Sequence, residues 1–189
     1  LTTGTAYTYT VRCLDSKGNY ISGYDKNGVS NTFITTPEIS ALTNINGGVE
    51  ISWGKLDGAK SYRVYRKTSK SDWGRIGETA DTTYVDQNAS SGTGYSYTVR
   101  CLDENGNLIS YFNQGKSITY IQAPSITNIK NTETGSEISW TKCGGAAKYR
   151  VFFLNENKEW KGLGNTTSTS FTHDKLADGN IYTYTVRCL

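Results

Sequence analysis

The chain has 189 residues, a formal net charge of +3 from 20 basic and 17 acidic side chains, and a mean hydropathy of −0.55. Bases and acids are mixed along the chain, which argues against the concentrated basic face of a nucleic-acid-binding protein. No apolar run approaches the ~18 residues of a membrane span.

Residues 7–14 read Tyr-Thr-Tyr-Thr-Val-Arg-Cys-Leu and 182–189 repeat them, while 95–102 differ only in Ser96. Tyr95, Tyr97, Val99 and Cys101 alternate with polar residues, and this period of two predicts a strand with one buried face. An offset of 87 residues carries Pro37 onto Pro124, Trp53 onto Trp140, Tyr62 onto Tyr149, Trp73 onto Trp160 and Cys101 onto Cys188. A period this long means whole domains in tandem, not a solenoid of small repeats.

In chain order, the first copy of the strand is followed by turn material at 15–19 and a second strand at 28–34. Pro37 suits the start of an edge strand, which continues through Ile39, Leu42 and Ile45 to a turn at Asn46, Gly47 and Gly48. Val49, Ile51 and Trp53 face inward on the next strand, and Tyr62 with Val64 on the one after. Trp73 and Ile76 belong to a short strand, 83–86 to another, then come 95–102, a turn at 103–107 and a closing strand at 115–121. Residues 124–189 repeat this order through Ile126 and Ile129, Ile138 and Trp140, Tyr149 and Val151, and Phe171, and then reach the third copy of the strand.

Leu176, Gly179 and Tyr182, like Leu1, Gly4 and Tyr7, set a leucine, a turn glycine and a tyrosine three residues apart. This resembles the tyrosine corner of fibronectin type III modules, where the tyrosine opens strand F and its hydroxyl ties back to upstream backbone. Carried over, Tyr7, Tyr95 and Tyr182 are the corner tyrosines. The middle copy has Ala89 where the leucine should be, so a looser corner is expected there. Trp53 (and Trp140) followed by a Tyr-x-Val strand again resembles that family. The resemblance implies an all-β chain of tandem fibronectin type III / immunoglobulin-like β-sandwiches. Residues 1–36 would hold strands F and G only, 37–123 a complete module, and 124–189 a module without strand G. It resembles most closely the modules of secreted and wall-attached Gram-positive bacterial proteins. That implies an extracellular or cell-surface, non-catalytic spacer of a larger protein, with no cofactor. The alternative is an adhesin or a glycan- or protein-binding module.

Candidate sites are few. His173, the only histidine, is expected exposed near a strand end, with no partners placed for a catalytic or zinc role. Asp103, Asn105 and Asn107 have the spacing that opens a calcium loop, but Gly106 falls too early and Gln114 stands where a bidentate Glu is needed; Asn-Gly is also a strong turn signal. Arg63, Arg66, Lys67, Lys70, Arg75 and Arg100 read either as a patch for an acidic polymer or as a solvated face with Tyr65 under arginine stems. Trp73, Trp160 and the loop aromatics Tyr20, Tyr24, Tyr111 and Phe112 suit sugar stacking or the covering of a core edge. Cys13 and Cys101 are expected to be buried and free, while Cys143 and Cys188 lie at one pole and are candidates for a disulfide. Self-association head-to-tail, through residues 1–36 of one chain and 124–189 of another, is a further expectation, since a raw strand edge is a template for pairing.

Overall fold

The computed structural model describes residues 1–189 and holds fifteen strands and no helix. Strands β1 (Thr5–Tyr9) and β2 (Val29–Phe33) form an antiparallel ribbon in which Thr5 lies opposite Phe33. No second sheet covers this ribbon, so Tyr9 and Val11 are 53% and 87% exposed. Cys13 is exposed for the same reason, a correction to the expectation that it is buried.

Residues 37–123 make two sheets. One is ordered β3 (Ile39–Ile45), β4 (Gly48–Trp53), β7 (Thr83–Asp86); the other β6 (Gly74–Thr79), β5 (Ser61–Lys67), β8 (Gly94–Leu102), β9 (Lys116–Thr119). In the lettering of a fibronectin type III sandwich these are A-B-E and C′-C-F-G. The all-β expectation holds. Val49, Ile51 and Trp53 from the first sheet pack on Tyr62, Val64, Tyr97 and Val99 from the second, each 4% exposed or less. The alternation that predicts a half-buried strand thus does produce one, because successive side chains leave a strand on opposite faces. Register shifts between Ile39 and Ala41 and between Val64 and Tyr65 return one period later, between Ile126 and Asn128 and between Val151 and Phe152.

Residues 124–189 form the sheets β10 (Ile126–Asn131), β11 (Gly135–Trp140), β14 (Ser170–Asp174) and β13 (Trp160–Thr166), β12 (Tyr149–Leu154), β15 (Thr183–Cys188). The core is the same one transposed: Ile138, Trp140, Tyr149, Val151, Tyr184 and Val186 are buried. Ile129 is 48% exposed on the outer strand. In both sandwiches the tryptophan edges onto the strand-C tyrosine, Trp53 on Tyr62 at 5.4 Å and Trp140 on Tyr149 at 5.5 Å between ring centres.

The two cores close differently at their open end. Arg66 stands inward opposite Tyr97 at the end of β5 and donates Nη1 to Asp86 Oδ2 at 2.7 Å. The Tyr97 hydroxyl donates to the same oxygen at 2.8 Å, and Asp86 is 2% exposed. Burial first, and then this carboxylate, push the Tyr97 pKa up, so the phenol stays a donor. One period on, Phe153, His173 and Tyr184 take these three places. Phe153 lies 4.9 Å from the His173 ring, whose Nδ1 is 3.2 Å from the Tyr184 hydroxyl. An ion pair has been exchanged for an aromatic stack with one hydrogen bond. His173, expected to be exposed, is therefore half-buried between Phe153, Tyr182 and Tyr184.

All three corner tyrosines accept a backbone N–H five residues upstream: Tyr7 from Thr2 at 2.8 Å, Tyr95 from Ser90 at 3.0 Å, Tyr182 from Ala177 at 3.1 Å. The hydroxyl acts as acceptor, so Tyr95→Phe strands an amide and should cost about 0.5–1.5 kcal/mol in urea denaturation. Arg66→Met leaves the Asp86 carboxylate buried without its cation. The expected cost is about 2–3 kcal/mol, below the ~3–5 of a fully buried pair because Arg66 is 25% exposed. Adding Asp86→His to Arg66→Phe should recover much of that loss, as the later repeat does. Burial, opposed more weakly by Asp174, holds the His173 pKa below the ordinary 6.5. The unfolded chain then binds the proton more readily, so stability is full above pH 6.5 and falls as the pH drops below it. Thermal melts of the wild type and of His173→Phe between pH 7.5 and 4.5 should diverge in that direction, the wild type losing more.

Candidate functional site

The feature that recurs most closely is the place where one module meets the next. It is built outward from the two cores. Tyr62, held by Trp53, turns its hydroxyl to accept the Leu56 N–H at 3.0 Å; Tyr149 does the same for Cys143 N–H at 3.0 Å. Ala59 N–H to Leu56 carbonyl at 3.2 Å, and Ala146 N–H to Cys143 carbonyl at 3.3 Å, close the two turns. At their apices sit Gly58 and Gly145 with φ of +88° and +83°, a left-handed conformation that glycine adopts without strain. The Cδ1 methyl of Ile34 lies 2.6 Å from where a β-carbon on Gly58 would be, and that of Ile121 lies 2.6 Å from the same point on Gly145. Each isoleucine comes from just beyond the preceding module's strand G, and Ile34 is buried in the core of residues 37–123.

The preceding module supplies a second surface, the turn that its corner tyrosine holds. In the later joint the Ser91 hydroxyl accepts the Gln122 N–H at 2.9 Å and donates to the Gly144 carbonyl at 2.9 Å, across the boundary. A β-carbon on Gly92 would stand 3.0 Å from the Gly144 carbonyl carbon, so the two backbones touch. In the earlier joint Thr3 Oγ1 accepts the Thr35 N–H at 3.1 Å, and Gly4 faces Asp57. The Thr36 hydroxyl donates to the Tyr111 carbonyl at 2.7 Å and ties the linker to the F–G loop. These joint residues were not singled out in the sequence, although Ile34, Ile121, Gly58 and Gly145 share the 87-residue offset. That recurrence, at turn and strand-end positions, was the signal.

The basic residues around strand C do not form an open cationic field. Arg63 Nε and Arg75 both engage the Glu78 carboxylate, the latter at 3.2 Å; Arg66 is committed to Asp86; Lys67 lies 4.6 Å over Trp73. Lys70 is exposed. Arg100 donates Nε to the Ser110 carbonyl at 2.8 Å and lies 4.6 Å over the Phe112 ring, which meets Tyr65 edge-on at 5.1 Å. Arg12 repeats this in the first ribbon, donating to the Ser22 carbonyl and lying 4.1 Å over Tyr20 and 5.2 Å from Tyr24. Tyr111 stands clear at 80% exposure. Trp73 is half-buried against the Gly115 turn, whereas Trp160 is 48% exposed, so the two do not share an environment.

The acidic turns have another use for their oxygens. Asp103 Oδ1 accepts the N–H groups of Asn105 and Asn107, and Oδ2 accepts the Asn107 amide; Asp15 does likewise with Lys17 and Asn19. Those bonds, Asn107's first, hold the Asp103 pKa below the usual range. No cluster of His, Cys, Asp or Glu gathers to hold a metal ion.

No protein-family model matches the chain. It is 29% identical to exoglucanase B of Cellulomonas fimi, over 99% of this chain and 19% of that protein. It is 33% identical to an amylopullulanase of Thermoanaerobacterium saccharolyticum, over 39% of this chain and 6% of that one. A poly(3-hydroxybutyrate) depolymerase of Ralstonia pickettii is 38% identical over 34% and 12% respectively. The chain thus spans about a fifth or less of the curated relatives it matches. Among solved structures it is similar to the chicken CNTN1 FN1–FN3 domains, at TM-score 0.36 and 14% identity over 98% of this chain and 71% of that one. It is similar also to a two fibronectin type III domain segment from chicken tenascin, at TM-score 0.38 and 15% identity over 82% and 84%. The strand order itself carries the assignment: residues 37–123 pair as A-B-E and C′-C-F-G, residues 124–189 as A-B-E and C′-C-F, and the chain is built of fibronectin type III-like β-sandwiches.

Proposed function

We propose that this chain is a non-catalytic accessory stretch of a larger extracellular bacterial protein, and that it works as a stiff spacer between other parts of it. The observation that carries this reading is the joint. The same isoleucine-on-glycine contact occupies both module boundaries, each backed by tyrosine-anchored turns on either side. A flexible tether would need only a polar, glycine- or serine-rich linker and no such seat. The relatives support the placement, since the chain matches a minor fraction of an exoglucanase and of amylopullulanases. A second reading, glycan binding, is favoured by one feature. The stack of Arg100 on Phe112 stands beside exposed Tyr111, and a flat ring with a free face suits sugars. Binding on a glycan array that Tyr111→Ala abolishes would establish that second role.

The spacer reading is tested at the joint. Gly145→Val places a β-carbon in contact with Ile121 and strains a left-handed φ, at a local cost of about 1–3 kcal/mol. Ile121→Ala removes the contact without touching the turn. With spin labels on the two sandwiches, the wild type should give one narrow distance distribution and both variants a broad one; Ile121→Ala should leave both unfolding midpoints in place, and Gly145→Val should lower only that of residues 124–189. A broad distribution in the wild type would exclude the stiff spacer.

A further inference from the structure

Four cysteines occupy four different settings, and only Cys143 and Cys188 belong to the same core. Cys188 ends β15 directly opposite Tyr149, the tyrosine whose hydroxyl holds the Cys143 amide at 3.0 Å. Cys143 is 5% exposed in the core of residues 124–189, and Cys188 packs against that same core. Cys188 is partly exposed and lines a crevice of about 410 Å³ at the joint, beside Gln122, Pro124 and Gly145. Its thiol also reaches the Gln122 carbonyl at 3.6 Å. The middle module cannot do the same, because Leu56 stands one period before Cys143 and packs against the core that holds the fully buried Cys101.

We propose that Cys143 and Cys188 are a disulfide-forming pair, oxidised through the joint crevice by a small disulfide reagent, and that the bond clamps the B–C turn seating Gly144 and Gly145 to strand F. The proposal is independent of the spacer reading. Cys188, the accessible thiol, gives its proton to solvent and attacks one sulfur of a low-molecular-weight disulfide such as oxidised glutathione, releasing one equivalent of the reduced thiol. Cys143 then loses its proton and attacks the Cys188 sulfur, expelling the second equivalent. Two protein S–H groups become one S–S bond, and the reagent's disulfide is reduced to two thiols. Burial, and then the neighbouring Cys143 thiol, push the Cys188 pKa up to about 12. The reaction should therefore be slow at neutral pH and accelerate about tenfold per pH unit as the thiolate fraction grows.

The test uses the full chain carrying Cys13→Ser, which removes the exposed thiol able to link two molecules. Incubation with oxidised glutathione at pH 9 should lower the intact mass by about 2 Da, two protons lost with no adduct retained. Thiols titrated after unfolding should fall from three to one, since four cysteines less Cys13 remain and only Cys101 stays free. Peptide mapping should join Cys143 to Cys188. Cys143→Leu, which installs the middle module's residue, should instead retain a glutathione adduct at Cys188. Three unchanged thiols, a glutathione adduct that persists while Cys143 is present, or a bond that includes Cys101 would each overturn the assignment.

Discussion

A methyl group sits where a side chain would begin. Ile34 over Gly58 and Ile121 over Gly145 fill the space that any other residue would give to its own β-carbon. That contact is the end of a chain of dependence that starts in the core. The tryptophan of strand B props the tyrosine of strand C, the tyrosine's hydroxyl fixes the start of the B–C turn, and the turn presents the glycine. From the other side the corner tyrosine fixes the turn before strand F, which holds Ser91 against Gly144. The same residues that close each small core therefore also set the relation between neighbours. Both tryptophans leave the indole N–H without a partner while buried, a cost on the order of 1–3 kcal/mol that the packing of the ring has to outweigh.

The two sandwiches show how far a repeat can drift while its frame holds. Arg66, Asp86 and Tyr97 come from strands C, E and F and meet only in the folded state; so do Phe153, His173 and Tyr184. Changing one member alone would leave either a buried carboxylate without a cation or an arginine facing an aromatic ring. The exchange therefore has to involve both partners, and the single histidine of the chain is a consequence of it. Its lowered pKa reflects burial in an aromatic niche.

Periodicity in the sequence was enough for the strands, because alternation in 95–102 and the repeated Trp, Tyr and Cys positions report which face of each strand is buried. It was enough for the tyrosine corners as well, although Ala89 in place of leucine loosened nothing: Tyr95 keeps its bond to Ser90. Other features lay beyond it. Cys13 shares its motif with Cys101 but not its environment, since burial needs a second sheet that no local pattern can supply. For the basic residues on and after strand C the sequence left a binding patch and a solvated face both open, because their partners, Glu78 and Asp86, lie on other strands. The joints were legible in principle from the recurring isoleucines and glycines. Without a structure, however, a glycine at a turn reads first as a turn residue.

The central claim is that the joint is a fixed structural element and not a tether. Residual dipolar couplings measured on the intact chain for amides of residues 37–123 and of 124–189 test it most directly, because each sandwich reports its own alignment. A fixed joint predicts one alignment tensor, equal in magnitude and orientation when both sandwiches are placed as in the structure. Two tensors of clearly different magnitude would show the sandwiches reorienting independently, and would contradict it.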